Sequence, residues 1–223
     1  MSETRAPRTV LLDLDGTFAD TFPSLSHALE EAMAKHGLAP APADALRPLV
    51  TRGARAMAKN ACGKNVDNDA LDEIVAHFLD IYRDDVTRHT RLMDGMQNVV
   101  DELHRRAIPW GIVTNKHRLY TEPLMAALDP QARAACIVSG DSTANAKPHP
   151  QPLLHACRLL EIAPAECVYV GDAENDVVAA RRAGMRSVVA LYGYIAIDDD
   201  PHGWRADATI DTPADLLAWI DAH

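Results

Sequence analysis

Two aspartates one residue apart stand at the end of the chain's first apolar run, in VLLDLDGTFAD from Val10 to Asp20. Burying one unpaired carboxylate is costly, and a second beside it adds repulsion that a proton or a cation must relieve. Asp172 and Asp176, just past a second apolar run at CVYV, extend the acid set. Hard oxygen donors with surplus negative charge, and no Cys or His among them, suit Mg2+ rather than zinc. Such an ion would partly neutralise a phosphate and let a carboxylate oxygen approach phosphorus. Asp13 is the candidate nucleophile, forming an aspartyl-phosphate, and Asp15 the group that protonates the leaving oxygen and then activates water. Thr114 and the Asn115 amide could donate to phosphate oxygens, while Lys147 adds positive charge facing the nucleophile and the developing negative charge.

Residues so far apart in sequence share a pocket only if strand ends gather them. Thr9 to Leu14 reads as a short buried strand, with Asp15 expected just past it on a turn that Gly16 permits. After Asp94-Gly95 helices and strands alternate, with strands at Ile108 to Thr114, Ala135 to Ser139, Cys167 to Gly171, Ser187 to Leu191 and Ala208 to Ile210. The helices between them are expected at Met96 to Arg106, Leu119 to Leu128, Pro150 to Leu160 and Glu174 to Ala183, with a last one opened by Thr212-Pro213. This alternation predicts an α/β fold, a Rossmann-like, mostly parallel sheet covered on both faces. Ligands of such sheets bind beyond the carboxyl ends of the strands, which is where Asp13, Asp15, Thr114, Asn115, Asp172 and Asp176 fall and where Gly140-Asp141 leads on to Lys147.

Residues 18–91 break the alternation. Leu25, Leu29, Ala32 and Met33 share one helical face, and Leu71, Ile74, Val75, Phe78, Leu79 and Tyr82 form a longer stripe; Arg47 to Ala61 reads as helix interrupted at Gly53. The expectation is a core of residues 1–17 and 92–223 with a helical cap domain of 18–91 inserted after the first strand.

Four ordered stretches, DLDGT at Asp13 to Thr17, VTN at Val113 to Asn115, KPHP at Lys147 to Pro150 and VGDAEND at Val170 to Asp176, resemble the motifs of the haloacid-dehalogenase-like phosphohydrolase superfamily. The resemblance implies Asp13 as nucleophile, Asp15 as general acid/base and Thr114 with Lys147 as phosphate and charge stabilisers. For the Mg2+ shell it implies Asp172, Asp13 and the Asp15 carbonyl, with Asp176 in a supporting place. The insertion is similar to the α-helical cap of the phosphoglycolate-phosphatase-like branch. TRGARAM at Thr51 to Met57, FLDIYRDD at Phe78 to Asp85 and YGYI at Tyr192 to Ile195 are similar to bacterial phosphoglycolate phosphatases and, more closely, to relatives acting on N-acetylmuramic acid 6-phosphate. His117 departs from the pattern, standing where these relatives often carry proline.

The phosphate site would read any monoester alike, so discrimination must come from distal contacts. Arg52 and Arg55, flanking Gly53, are the candidates on the cap, because a guanidinium matches a planar carboxylate; Lys116 and His117 are candidates on the core. The implied activity is hydrolysis of a small organic-acid or sugar phosphate. A sugar phosphomutase would share the aspartyl-phosphate, and a receiver-like phospho-switch would share the acidic pocket with its Thr and Lys. Asp15, placed to hydrolyse the acyl-phosphate, and a helical lid weigh against the switch.

The formal charge of the 223 residues is -10, which argues against a broad nucleic-acid-binding surface. Cys62, Cys136, Cys157 and Cys167 form no metal-binding spacing and read as reduced thiols. MSETRAPRT carries no apolar leader and no run is long enough to span a bilayer, so the expectation is a cytoplasmic enzyme with a small-molecule partner and no membrane or nucleic-acid partner. The sequence is silent on monomer against homodimer.

Overall fold

The computed structural model describes residues 7–63 and 66–223; the leader-free reading of residues 1–6 lies outside them. The chain divides into two compact units, one running to Ala19 and resuming at Leu92, the other Asp20–Arg91.

The first unit is built on β1 (Thr9–Leu12), whose four residues are all buried. A strand apolar at consecutive positions has no solvent face, and β1 takes the centre of the sheet with both edges paired. The chain leaves this unit through β2 (Ala19–Asp20). In the second unit it forms α1 (Phe22–Lys35), α2 (Ala43–Leu46), a 3-10 segment (Arg47–Arg52), α3 (Ala54–Cys62) and α4 (Asn68–Asp84). It returns through β3 (Arg91–Leu92), which pairs with β2. The first unit then continues with α5 (Met96–Arg105), β4 (Trp110–Val113), α6 (Arg118–Leu128), β5 (Cys136–Val138), α7 (Gln151–Leu160), β6 (Cys167–Gly171), α8 (Glu174–Ala183), β7 (Arg186–Ala190), β8 (Ala208–Ile210) and α9 (Asp215–Asp221).

The six-stranded sheet runs β5-β4-β1-β6-β7-β8, and every neighbouring pair is parallel. Strand order reverses about β1, which makes the carboxyl end of that strand the crevice where this architecture binds ligands. Leu11, Val113, Val138 and Tyr169 pack with Leu153, Ala156, Ala179 and Ala180, joining α7 and α8 to one face. Gly111 lets β4 lie close to β5, since a Cβ there would stand 2.6 Å from the Cys136 sulfur.

The second unit is a helical cap with its own core. Leu25, Leu29, Ala32 and Met33 of α1 and Leu71, Ile74, Phe78 and Tyr82 of α4 are buried where these two helices pack. Asp67 caps α4, accepting from the Ala70 N–H at 2.9 Å. Gly53, at φ +86°, separates the 3-10 segment from α3, a backbone state that side-chain-bearing residues avoid.

Most element ends shift by one or two residues from the sequence reading, and two of the differences bear on the site. The first strand stops at Leu12 rather than Leu14, although Asp13 N–H still donates to Val170 O at 2.9 Å and holds the register one residue further. The first crossing between units falls after Ala19 rather than Thr17, because Phe18 is buried and its ring stacks 5.3 Å from that of Trp110. No helix among the described residues is long and apolar enough to cross a membrane.

Candidate active site

The carboxyl ends of β1, β4 and β6 bring Asp13, Thr114 and Asp172 together with Lys147, which arrives on the loop before α7. All four are buried, as is Asp176 in the first turn of α8. Past Asp13 the chain turns sharply: Phe18 and Ala19 N–H both donate to Leu14 O, and Gly16 N–H donates to Ala19 O. Gly16 has φ +78°, and a Cβ on it would stand 2.1 Å from Asp172 Oδ2. The turn therefore needs glycine twice over, for its backbone angle and for the carboxylate pressed against it.

Among the described residues, Lys147 brings the ammonium that pairs with two of three buried acids. Its Nζ lies 2.8 Å from Asp13 Oδ1 and 2.7 Å from Asp176 Oδ1. It also donates to the Tyr169 hydroxyl at 2.6 Å and to Val113 O at 3.1 Å. Asn115 fixes the backbone that carries it: the Asn115 side-chain amide donates to Lys147 O and its carbonyl accepts from Lys147 N–H, both at 2.9 Å. Burial alone would push the Lys147 ammonium down, but Asp13 and Asp176 outweigh it and hold the charge.

Asp13, Asp172 and Asp176 each offer an oxygen within 4.8 Å of the others, the one such group of potential metal ligands among the described residues. One ammonium against three carboxylates leaves an excess of two negative charges. Burial, only partly offset by Lys147, pushes the Asp13 carboxyl up to about 6. Burial followed by the charges of Asp13 and Asp176 pushes Asp172 well above the carboxylate range. Asp13 Oδ1, though charge-paired, is buried with no aligned hydrogen bond. A divalent cation on these oxygens matches both the charge excess and the oxygen chemistry, so the residues fit Mg2+.

The donors are not equivalent. Asp176 is already engaged on both oxygens, Oδ1 by Lys147 and Oδ2 by the Ala173 N–H at 3.1 Å. Asp172 Oδ2 accepts from the Tyr194 N–H at 2.7 Å, while its Oδ1 has a 3.5 Å contact with the Thr17 hydroxyl. The Asp15 carboxylate stands outside the three-acid group and pairs with Lys116 Nζ at 2.8 Å. The ligand that the resemblance implies from Asp15 is its backbone carbonyl, not this carboxylate.

Other candidates divide. Thr114 joins the site, its hydroxyl accepting from the Lys116 N–H at 3.1 Å, which leaves its own proton to donate outward. Lys116 joins through Asp15. His117 is the N-cap of α6, accepting from the Leu119 N–H, and its other ring nitrogen lies 3.2 Å from Asp141. Arg52, Gly53 and Arg55 belong to the cap, where Arg55 pairs with Asp72 of α4.

Tyr169 was not singled out from sequence, because a tyrosine inside CVYV reads as core; only its place two residues before Gly171 hints at the site. YGYI marked a resemblance but not a task. In the structure Gly193 packs on Asp172, Tyr194 donates to it, and the Tyr192 hydroxyl donates to Thr17 O at 3.2 Å.

A model of the family described as haloacid dehalogenase-like hydrolase matches residues 10–190. A phosphoglycolate phosphatase of Xanthomonas campestris pv. campestris is 40% identical over 96% of this chain and 98% of its own. An N-acetylmuramic acid 6-phosphate phosphatase of Pseudomonas putida is 35% identical over 96% of each chain. The crystal structure of a predicted phosphoglycolate phosphatase from Haemophilus somnus superposes with TM-score 0.85 at 24% identity, covering 98% of this chain and 99% of that one.

Proposed function

The chain belongs to the haloacid dehalogenase-like hydrolase family and is a phosphatase of small phosphate esters; on that premise we propose how its residues share the work. The observation that carries the reading is the buried group of Asp13, Asp172 and Asp176, two of which, Asp13 and Asp176, pair with the Lys147 ammonium.

An Asp13 oxygen attacks phosphorus, the ester P–O bond breaks, and Asp15 gives its proton to the departing oxygen. Water then attacks the phosphorus of the aspartyl-phosphate and yields its proton to Asp15. The bond from phosphorus to Asp13 breaks, and inorganic phosphate leaves. Thr114 and the backbone N–H of Asn115 donate to the non-bridging oxygens, and Lys147 offsets negative charge on Asp13 and on the phosphoryl group. Asp13, Asp172 and the Asp15 carbonyl, supported by Asp176, would hold Mg2+, which supplies charge neutralisation at the phosphate.

The substrate is a small organic-acid or sugar phosphate, with 2-phosphoglycolate and N-acetylmuramic acid 6-phosphate as the leading candidates. The relatives bearing these two names are 40% and 35% identical, too close for identity to choose between them. Arg52, Gly53 and Arg55 on the cap, with Lys116 and His117 on the core, are the residues proposed to discriminate. The free, buried thiols of Cys136, Cys157 and Cys167 suit a reducing compartment, and we place the enzyme in the cytoplasm.

The test is phosphate release by purified protein with Mg2+ from 2-phosphoglycolate, N-acetylmuramic acid 6-phosphate, hexose phosphates and nucleoside monophosphates. Asp13→Asn should lower kcat by roughly 10^4-fold or more while the protein still melts cooperatively. Wild-type turnover in that variant would remove Asp13 from its role, and isomerised organic phosphate without free phosphate would indicate a mutase.

A further inference from the structure

Lys147 has three N–H donors and four oxygens within 3.1 Å: Val113 O, the Tyr169 hydroxyl, Asp176 Oδ1 and Asp13 Oδ1. The first three are aligned hydrogen bonds. Asp13 Oδ1 is the oxygen left without one, although it is 2.8 Å away. Lys147 thus faces Asp13 Oδ1 chiefly as a charge, off the line of a well-aligned hydrogen bond.

The hydroxyl that makes this arrangement is fixed from its other side. The Tyr169 hydroxyl lies 2.6 Å from Val113 O and 3.4 Å from Asp176 Oδ1; the shorter bond takes the phenol proton and leaves a lone pair toward Lys147. Tyr169 lies on β6 and Val113 on β4, with β1 between them in the sheet. The side chain therefore reaches across the strand that carries Asp13. Its ring is buried with Leu11 and Val113, which holds the hydroxyl among these partners.

We propose that Tyr169 is a positioning residue for the phosphatase reaction: its hydroxyl accepts one of the three Lys147 N–H donors, so that the ammonium faces Asp13 Oδ1 as a charge rather than through an aligned hydrogen bond that would weaken it as a nucleophile. The proposal rests on the assignment of Asp13 as nucleophile and Lys147 as its cation. Without the hydroxyl, the released Lys147 proton turns to Asp13 Oδ1, and a carboxylate oxygen tied in a charge-assisted hydrogen bond is a weaker nucleophile.

The test compares wild type, Tyr169→Phe, Asp13→Asn and Lys147→Met as full chains with Mg2+ and p-nitrophenyl phosphate, following the nitrophenol burst and steady-state turnover. Tyr169→Phe should lower kcat and the burst rate roughly 10-fold, as loss of a partner behind an active-site group commonly does, with KM little changed. Wild-type kcat and burst rate in a folded Tyr169→Phe protein would overturn the proposal. Wild-type turnover in Asp13→Asn or Lys147→Met would instead overturn the assignment beneath it, and the two failures are read from different variants. If Tyr169→Phe does not fold, 3-fluorotyrosine at position 169 keeps ring and hydroxyl while making that oxygen a poorer acceptor from Lys147. An intermediate kcat then supports the proposal, and full activity overturns it.

Discussion

At the scale of single residues, Lys147 shows how far the acid cluster depends on one charge. Lys147→Met leaves Asp13, Asp172 and Asp176 buried without a cation, a change expected to cost about 3–5 kcal/mol of stability as well as turnover. Thermal melts with and without Mg2+ would check it, the ion restoring part of the loss. The sign of the pH dependence follows from Asp13. Its carboxyl is pushed from an ordinary 3.8 up to about 6, so between those values the folded state binds more protons than the unfolded one. The stability contributed by this group is present below 3.8 and is lost as pH rises through 6. Mg2+ competes with that proton, so the rise in melting temperature on adding Mg2+ should be small at pH 5 and large at pH 8. An equal rise at both would remove Asp13 from the metal site. The sequence displayed the acids, Thr114 and Lys147 because charged and hydroxyl groups beside apolar runs are conspicuous. It hid the pair of hydrogen bonds between the Asn115 side chain and the Lys147 backbone, since contacts between residues 32 apart in sequence leave no local pattern.

At the scale of elements, the first turn after β1 carries the sharpest constraint. Gly16→Ala would force a side chain into φ +78° and bring its Cβ against Asp172, so activity should fall steeply, with about 1–3 kcal/mol lost from the backbone state alone. Equilibrium denaturation and phosphate release would measure the two effects, and a wild-type Gly16→Ala enzyme would contradict the close packing. Strand and helix order was legible because strands buried on both sides are unbroken apolar runs and the helices carry periodic stripes. The spans of β6, α8 and β8 fall where the pattern placed them. What escaped were the two-residue strands β2 and β3, too short for any period to register.

At the scale of the whole molecule, the proposed selectivity residues lie on both units, and Arg55 tests the share of the cap. Arg55→Ala removes an exposed pair with Asp72, which should cost under about 1 kcal/mol. A fall in kcat/KM for the favoured substrate, with p-nitrophenyl phosphate turnover unchanged, would therefore identify a distal contact rather than damage to the fold. Equal losses on both substrates would dismiss Arg55 as a selector. The division into two units was legible as a change of rhythm, helices alone against helices alternating with strands, and the position of Phe18 was not, because a single aromatic at a boundary suits either side.

The paired crossings β2 and β3 give the insertion a further property. A segment that enters and leaves through neighbouring strands has its two ends about 5 Å apart. Such a segment can be exchanged for another of different length without asking the host to move its own strands. Recombination could therefore replace Asp20–Arg91 as a cassette, retuning which ester is admitted while the inherited chemistry stays intact.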